Sequence, residues 1–72
     1  MNAKLDLHGI KHDNAEIAIE DFILMNDAPM SIVTGNSFIM QQLVFKIIKQ
    51  YDLQGYFLHN NLGCIIITDI IK

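Results

Sequence analysis

The sequence predicts a small two-layer α/β domain with the element order βαβαββ, and three observations lead to this fold class. Short runs of alternating apolar residues precede two long segments. Those long segments repeat apolar residues at three- and four-residue spacing, which is the period of an amphipathic helix. The chain closes with an isoleucine-rich run after an Asn/Gly turn. Two right-handed crossovers would place both helices on one face of a four-stranded mixed sheet. The 72 residues suffice for a single domain, residues 1–72, with one small core.

The first strand is predicted over residues 3–8. Side chains alternate between the two faces of a strand, so Leu5 and Leu7 are expected to face the helices. The same alternation places Asp6 and His8 together on the opposite side, or at the rim where the strand ends.

The first helix is predicted over residues 12–26, and Pro29 prevents its continuation. A second strand follows over residues 30–34. The helix carries one apolar stripe, formed by Ala15, Ala18, Ile19, Phe22 and Ile23.

The second helix is predicted over residues 38–51, with Ser37 as its N-cap. A third strand over residues 55–59 and a turn over 60–63 come next. The last strand, residues 64–70, is apolar at successive positions, which predicts a central strand covered on both faces. The inward stripe of the second helix is expected to contain Met40, Leu43, Val44, Ile47, Ile48 and Tyr51.

Composition limits the function classes. Hydrophobic residues make up 51% of the chain, which is typical of a globular protein. Neither a membrane span nor the apolar core of a signal peptide is present in the sequence, so a cytoplasmic protein with no membrane partner is expected. Cys64 stands alone and is expected to be a buried small hydrophobe. The net charge of −3 and the absence of arginine argue against broad electrostatic capture of nucleic acid, although a local basic patch remains compatible with them.

Residues 5–9, Leu-Asp-Leu-His-Gly, are the most informative segment. They predict a carboxylate and an imidazole at one strand end, followed by the turn that Gly9 permits. In the functional interpretation, His8 transfers protons in phosphodiester cleavage and Asp6 orients it. In the structural alternative, the two side chains only form hydrogen bonds with the neighbouring turn.

With residues 32–35 (Ile-Val-Thr-Gly) added to this first motif, the chain resembles a Smr (small MutS-related) domain, as a minimal stand-alone member. Ala15, Phe22, Phe57 and the strand from Gly63 to Ile70 match further positions, so the resemblance covers almost the whole chain. It implies a fold similar to the C-terminal domain of translation initiation factor three. It also implies binding of DNA or RNA, often branched or structured, with endonuclease or nicking activity in several members.

By this resemblance Asp6 and His8 are the catalytic candidates, and the loop at Gly35 binds nucleic acid. The family loop has two glycines and often a basic residue, whereas this chain has Gly35-Asn36-Ser37, which predicts weaker phosphate binding. The full set of predicted nucleic-acid-binding residues is Gly9, Lys11, Gly35, Asn36, Ser37, Lys46 and Lys49. No protein metal site is predicted, and a requirement for Mg²⁺ or Mn²⁺ stays open. The alternative is a non-catalytic module that binds nucleic acid or protein and has lost cleavage with its loop.

Two histidines and two phenylalanines are further candidate side chains. His12 is expected to pack at the helix entry, and His59 is expected to be exposed in a hairpin. Phe38 and Phe45 lie seven residues apart and outside the inward stripe, so both are predicted to be exposed on one side of the second helix. These rings would contact either nucleic-acid bases or another protein, and the net negative charge of the chain favours the protein. In a third interpretation, a second copy of the chain packs against these rings or against the open sheet face, and the domain has a purely structural, oligomerising role.

Overall fold

The computed structural model describes residues 3–70 and confirms the predicted two-layer α/β architecture. The elements are β1 (Ala3–Asp6), α1 (His12–Met25), β2 (Met30–Val33), α2 (Phe38–Gln50), β3 (Leu53–Leu58) and β4 (Asn61–Asp69). The four strands form a mixed sheet in the order β1-β2-β4-β3, in which β1 and β2 are parallel and β4 is antiparallel to both of its neighbours. Neither helix in this part of the chain has the length and apolar character needed to cross a bilayer.

Three strand boundaries differ from the sequence prediction by more than one residue. β3 begins at Leu53 rather than at residue 55. β1 ends at Asp6 rather than at residue 8, because the chain turns immediately after Leu7. The predicted turn over residues 60–63 is wrong. Leu58 pairs with Asn61, so the hairpin loop is only two residues long, and Asn60 takes a positive φ of 60° within it. The residues from Asn61 onward belong to β4.

The core lies between the two helices and one face of the sheet. Ala15, Ile19 and Ile23 of α1 are buried, which confirms the predicted stripe, and α2 contributes Met40, Val44, Ile47 and Ile48. Leu7 is buried and Leu5 packs against the core, as expected for the first strand. Tyr51 is exposed, so its predicted place in the α2 stripe is wrong. It lies at the C-cap, where the helix ends and its N–H bonds to the carbonyl of Ile48.

β4 is central in the sheet, as predicted, but its two faces differ. Ile65 and Ile67 point toward the helices and are fully buried, and Cys64 is buried as expected. Ile66 points to the other face and is only half-buried, because neither helix lies over that face. The prediction that both faces are covered is therefore met on the helix side alone, and a partner on the open face stays a prediction. Tyr56, which pairs with Ile66, is exposed there.

The prediction of two exposed aromatic rings on α2 is wrong for Phe45. Its ring makes an edge-to-face contact with Phe57 of β3, with centroids 5.5 Å apart and planes at 72°. α2 packs on β3 as well as on β4, so a second side of the helix is also covered by the sheet. Phe38, in the first turn, is 69% exposed and remains the only ring of the pair that is free to contact a partner.

We expect the two phenylalanines to differ in their contribution to stability. Phe45→Ser should lower the free energy of unfolding by about 2 kcal/mol, because it removes a partly buried ring and its contact with Phe57. Phe38→Ser should change it by less than about 0.5 kcal/mol, as is usual for an exposed position. Urea unfolding of both variants measures the difference. Equal stabilities would contradict the position of the Phe45 ring.

Candidate functional site

The candidate site lies at the edge of the sheet where β1 and β2 end. Because these strands are parallel, their following turns meet at the same edge. The turn from Leu7 to Ile10 and the turn from Thr34 to Ser37 line an open pocket of about 320 Å³, to which His12 and Met40 also contribute. We call this space the site pocket.

Each turn depends on a glycine in the left-handed region. In the first turn the Leu7 carbonyl accepts a hydrogen bond from the N–H of Ile10 at 3.1 Å, and Gly9 has a φ of 76°. This combination defines a type II turn, in which the third residue needs a positive φ. Gly35 has a φ of 63° in the second turn. Residues with a Cβ rarely adopt such values, so both glycines follow from the sharpness of the two turns.

Asp6 and His8 lie side by side at the rim of the site pocket. A carboxylate oxygen of Asp6, Oδ1, accepts a hydrogen bond from the backbone N–H of His8 at 2.9 Å. The same oxygen lies 3.6 Å from Nδ1 of the His8 ring. The side chains are 62% and 77% exposed, respectively. Because β1 ends at Asp6, this turn hydrogen bond, rather than strand alternation, brings the two groups together.

The His8 ring also lies against the second turn. A Cβ placed on Gly35 would be 3.5 Å from Cε1 of His8 and 4.0 Å from Nε2. The Nδ1 side of the ring therefore faces Asp6, while the Cε1–Nε2 side faces the Gly35 turn. The structure thus brings the predicted acid/imidazole pair and the predicted binding loop into one place.

The Gly35 turn is held by β4 and by the side chain of Gln41 in α2. The carbonyl of Gly63 accepts hydrogen bonds from the N–H groups of Thr34 at 2.7 Å and Gly35 at 3.1 Å. The Gln41 amide donates to the carbonyls of Gly35 at 3.3 Å and Leu62 at 3.1 Å. The pairing of β4 with β3 is also irregular here, since residues 62–64 have no partner on β3. The Asn61-x-Gly63 pattern is the sequence signal for this region, but on its own it predicts a hairpin turn.

Both helices begin at the site pocket. Ser37 caps α2 as predicted, because its hydroxyl oxygen accepts a hydrogen bond from the N–H of Met40 at 3.2 Å. Lys11 occupies the N-cap position of α1, and its side chain makes no capping hydrogen bond. The first-turn amides of a helix have no partner within the helix, and the aligned peptide dipoles place partial positive charge there. Two such helix starts beside one pocket favour an anionic ligand.

The structure divides the predicted lysines into two groups. Lys11 lies between Ile10 and His12, which both line the site pocket. Lys46 and Lys49 are exposed on α2, about 14 and 18 Å along the helix axis from Ser37. Those two lysines therefore lie outside the pocket, whereas the exposed Asn36 belongs to its wall.

The other two histidines differ from each other. The packing role predicted for His12 is wrong: the side chain is exposed and lines the site pocket, because the buried stripe of α1 begins only at Ala15. His59 is exposed in the β3–β4 hairpin, as expected. β1 and β3 are the two outer strands of the sheet. His59 and His8 are therefore separated by three inter-strand distances, a total of about 14 Å.

The described residues offer few side-chain ligands for a divalent metal ion. Among residues 3–70 no group of three or more His, Cys, Asp or Glu side chains is placed to hold a metal ion. In the site pocket, a Mg²⁺ ion would find the carboxylate of Asp6 and the oxygens of a bound phosphate, which is a set that Mg²⁺ uses in some phosphate-binding sites.

The fold and the site together define a small α/β domain with an anion-favouring pocket built from two glycine turns. A scan against protein-family models, a search of curated proteins and a search of solved structures each found no match to this chain.

Proposed function

We propose that this chain is a Smr-like nucleic-acid-binding domain, acting in the cytoplasm, that binds a phosphodiester of DNA or RNA in the site pocket and cleaves it weakly as a nickase or endonuclease. Asp6 and His8 carry the cleavage. The observation that supports this proposal best is the exposed His8 ring, which lies between the Asp6 carboxylate and the Gly35 turn.

Phosphate binding would rest mainly on the backbone. The starts of α1 and α2 supply N–H groups and partial positive charge, and Lys11 supplies one full charge next to them. A branched or structured strand that leaves the pocket along α2 would also meet Lys46 and Lys49. With a net charge of −3, the domain should bind weakly, and its affinity should fall as salt is raised.

Cleavage would use His8 as a proton-transfer group. A phosphate at the Gly35 turn would face the Cε1–Nε2 side of the ring, which leaves Nε2 to exchange a proton with the reacting oxygen. Asp6 restrains the turn through the His8 N–H and lies on the Nδ1 side of the ring, which leaves Nε2 free to face the phosphate. A divalent cation, when bound, would neutralise charge on the phosphate.

The first test compares His8→Ala with the wild type on labelled single-stranded, duplex and branched DNA and RNA, with and without Mg²⁺ or Mn²⁺. His8→Ala should lose at least about 100-fold in cleavage rate, the usual effect of removing a general acid or base. His59→Ala is the matched control, because its ring is exposed and lies outside the site pocket. It should cut at the wild-type rate. Failure of the wild type to cut any substrate would remove the proposed activity.

The second candidate function is a non-catalytic module that binds nucleic acid or protein. It is favoured by the Gly35-Asn36-Ser37 sequence, which has neither a basic side chain nor a second glycine at the loop. Under this alternative, salt-sensitive binding would persist in His8→Ala, and the wild type would cut nothing. Concentration-dependent assembly without either property would instead indicate a structural domain that associates through the open sheet face around Tyr56.

A further inference from the structure

We propose that the substrate of the site pocket is RNA, cut by its own 2′-hydroxyl group, with His8 and His12 as the two proton-transfer groups. This inference rests on the proposed function and narrows it to one class of substrate. It assigns a catalytic role to His12, the first residue of α1, which lines the pocket.

The pairing of the two histidines is the observation that leads to this inference. His8 is in the first turn and His12 is the first residue of α1, so the two histidines lie four positions apart in one connection, and both line the same pocket. Both side chains belong to exposed residues, so both are accessible to a ligand. The third histidine, His59, is exposed elsewhere and does not line the pocket.

Two imidazoles in one pocket match the proton balance of RNA cleavage. One neutral ring accepts the proton of the 2′-hydroxyl, whose oxygen then attacks the adjacent phosphorus. The bond from phosphorus to the 5′-oxygen breaks, and the second, protonated ring donates its proton to that leaving oxygen. The products are a 2′,3′-cyclic phosphate and a 5′-hydroxyl, and no other reactant is consumed.

The geometry around His8 assigns the two roles. The Asp6 carboxylate lies 3.6 Å from Nδ1 of His8 and the Cε1–Nε2 side of the ring faces the Gly35 turn, so we assign His8 to donate a proton from Nε2 to the leaving oxygen. His12 is then the base that takes the 2′-proton. DNA has no 2′-hydroxyl, so the same two groups would have no internal nucleophile to activate on a DNA strand.

The test uses the intact chain and three matched oligonucleotides in the presence of EDTA. The cut position is first mapped on an all-RNA strand, and the second strand carries a single 2′-deoxynucleotide at that position. The third strand is all DNA. We expect cleavage of the all-RNA strand, with 2′,3′-cyclic phosphate and 5′-hydroxyl ends, and a loss of at least about 100-fold at the deoxy position.

The variants His8→Ala, His12→Ala and His59→Ala separate the roles. The first two should each lose at least about 100-fold in rate, while binding of the uncleavable deoxy strand and the circular dichroism spectrum stay as in the wild type. His12→Asn provides a second variant should the alanine disturb the start of α1. His59→Ala should cut normally.

Three results would overturn the inference and leave the broader proposal intact. They are equal cleavage of the deoxy strand, 5′-phosphate ends, and wild-type rates in both His12 variants while His8→Ala is inactive. If the wild type cuts no nucleic acid under any condition, this inference and the proposed cleavage activity both fail.

Discussion

Ile65→Ala is expected to lower the free energy of unfolding by about 3 to 4 kcal/mol, the largest stability effect that we predict for a single side chain. Ile65 is fully buried in β4, between Ile32 of β2 and Phe57 of β3. Truncation there removes buried methyl groups and leaves a cavity that the surrounding strands cannot fill. A domain of 72 residues has a total stability of about 4 to 11 kcal/mol, so this loss is a large share of it.

The neighbouring residue provides the control for this prediction. Ile66 is the same residue type one position along the chain, but it faces the open side of the sheet and is half-buried. Ile66→Ala should cost about 1 kcal/mol, in proportion to the smaller apolar area that it covers. Thermal unfolding should place the Tm of Ile65→Ala lower than that of Ile66→Ala by at least about 8 °C. The reverse order would mean that the helices cover the other face.

Gly63→Ala is expected to damage the site through β4 rather than through a residue of the site pocket. A Cβ at this position would be 3.1 Å from Cα of Gly35 and 3.3 Å from its carbonyl carbon. Both are backbone atoms, so the Gly35 turn itself must move by a few tenths of an ångström. Such crowding typically costs about 1 to 3 kcal/mol. Under the proposed function, displacement of the Gly35 turn should also reduce nucleic-acid cleavage by about 10- to 100-fold.

The measurement for Gly63→Ala combines thermal unfolding with the amide NMR signals of Thr34 and Gly35, whose N–H groups bond to the Gly63 carbonyl. Both signals should shift. Leu62→Ala is the control, since that side chain is 66% exposed and its removal leaves the backbone contacts in place. It should keep the wild-type signals and activity. Unchanged Thr34 and Gly35 signals in Gly63→Ala would contradict the close approach of β4 to the turn.

The order and type of the elements could be predicted from local pattern alone. Apolar spacing predicted both helices to within one residue at each end, and Ser37 was identified as a cap from its position before the apolar run. Helical periodicity repeats several times within one segment, so the prediction of a helix rests on many residues. Strand ends carry less local signal, which explains the two-residue excess predicted for β1 and the misplaced turn before β4.

Part of the site was also predictable. The spacing of Asp6, His8 and Gly9 predicted an acid and an imidazole beside a turn, and the two groups do lie together. The place of His12 in the lining of the site pocket and the support of Gly35 by Gly63 were missed. The first depends on where α1 begins relative to the pocket, and the second depends on how β4 packs against a turn that is distant in the sequence.

Sequence alone determined the βαβαββ order, the apolar stripes of the helices and the two glycine turns, since these depend on neighbouring residues and on the period of each element. Tertiary structure decided the rest. It placed the turns after β1 and β2 at one edge, covered Phe45 with Phe57, left one sheet face open, and brought the Gly63 carbonyl to the Gly35 turn. These features depend on the direction and pairing of strands, which short-range residue patterns do not specify.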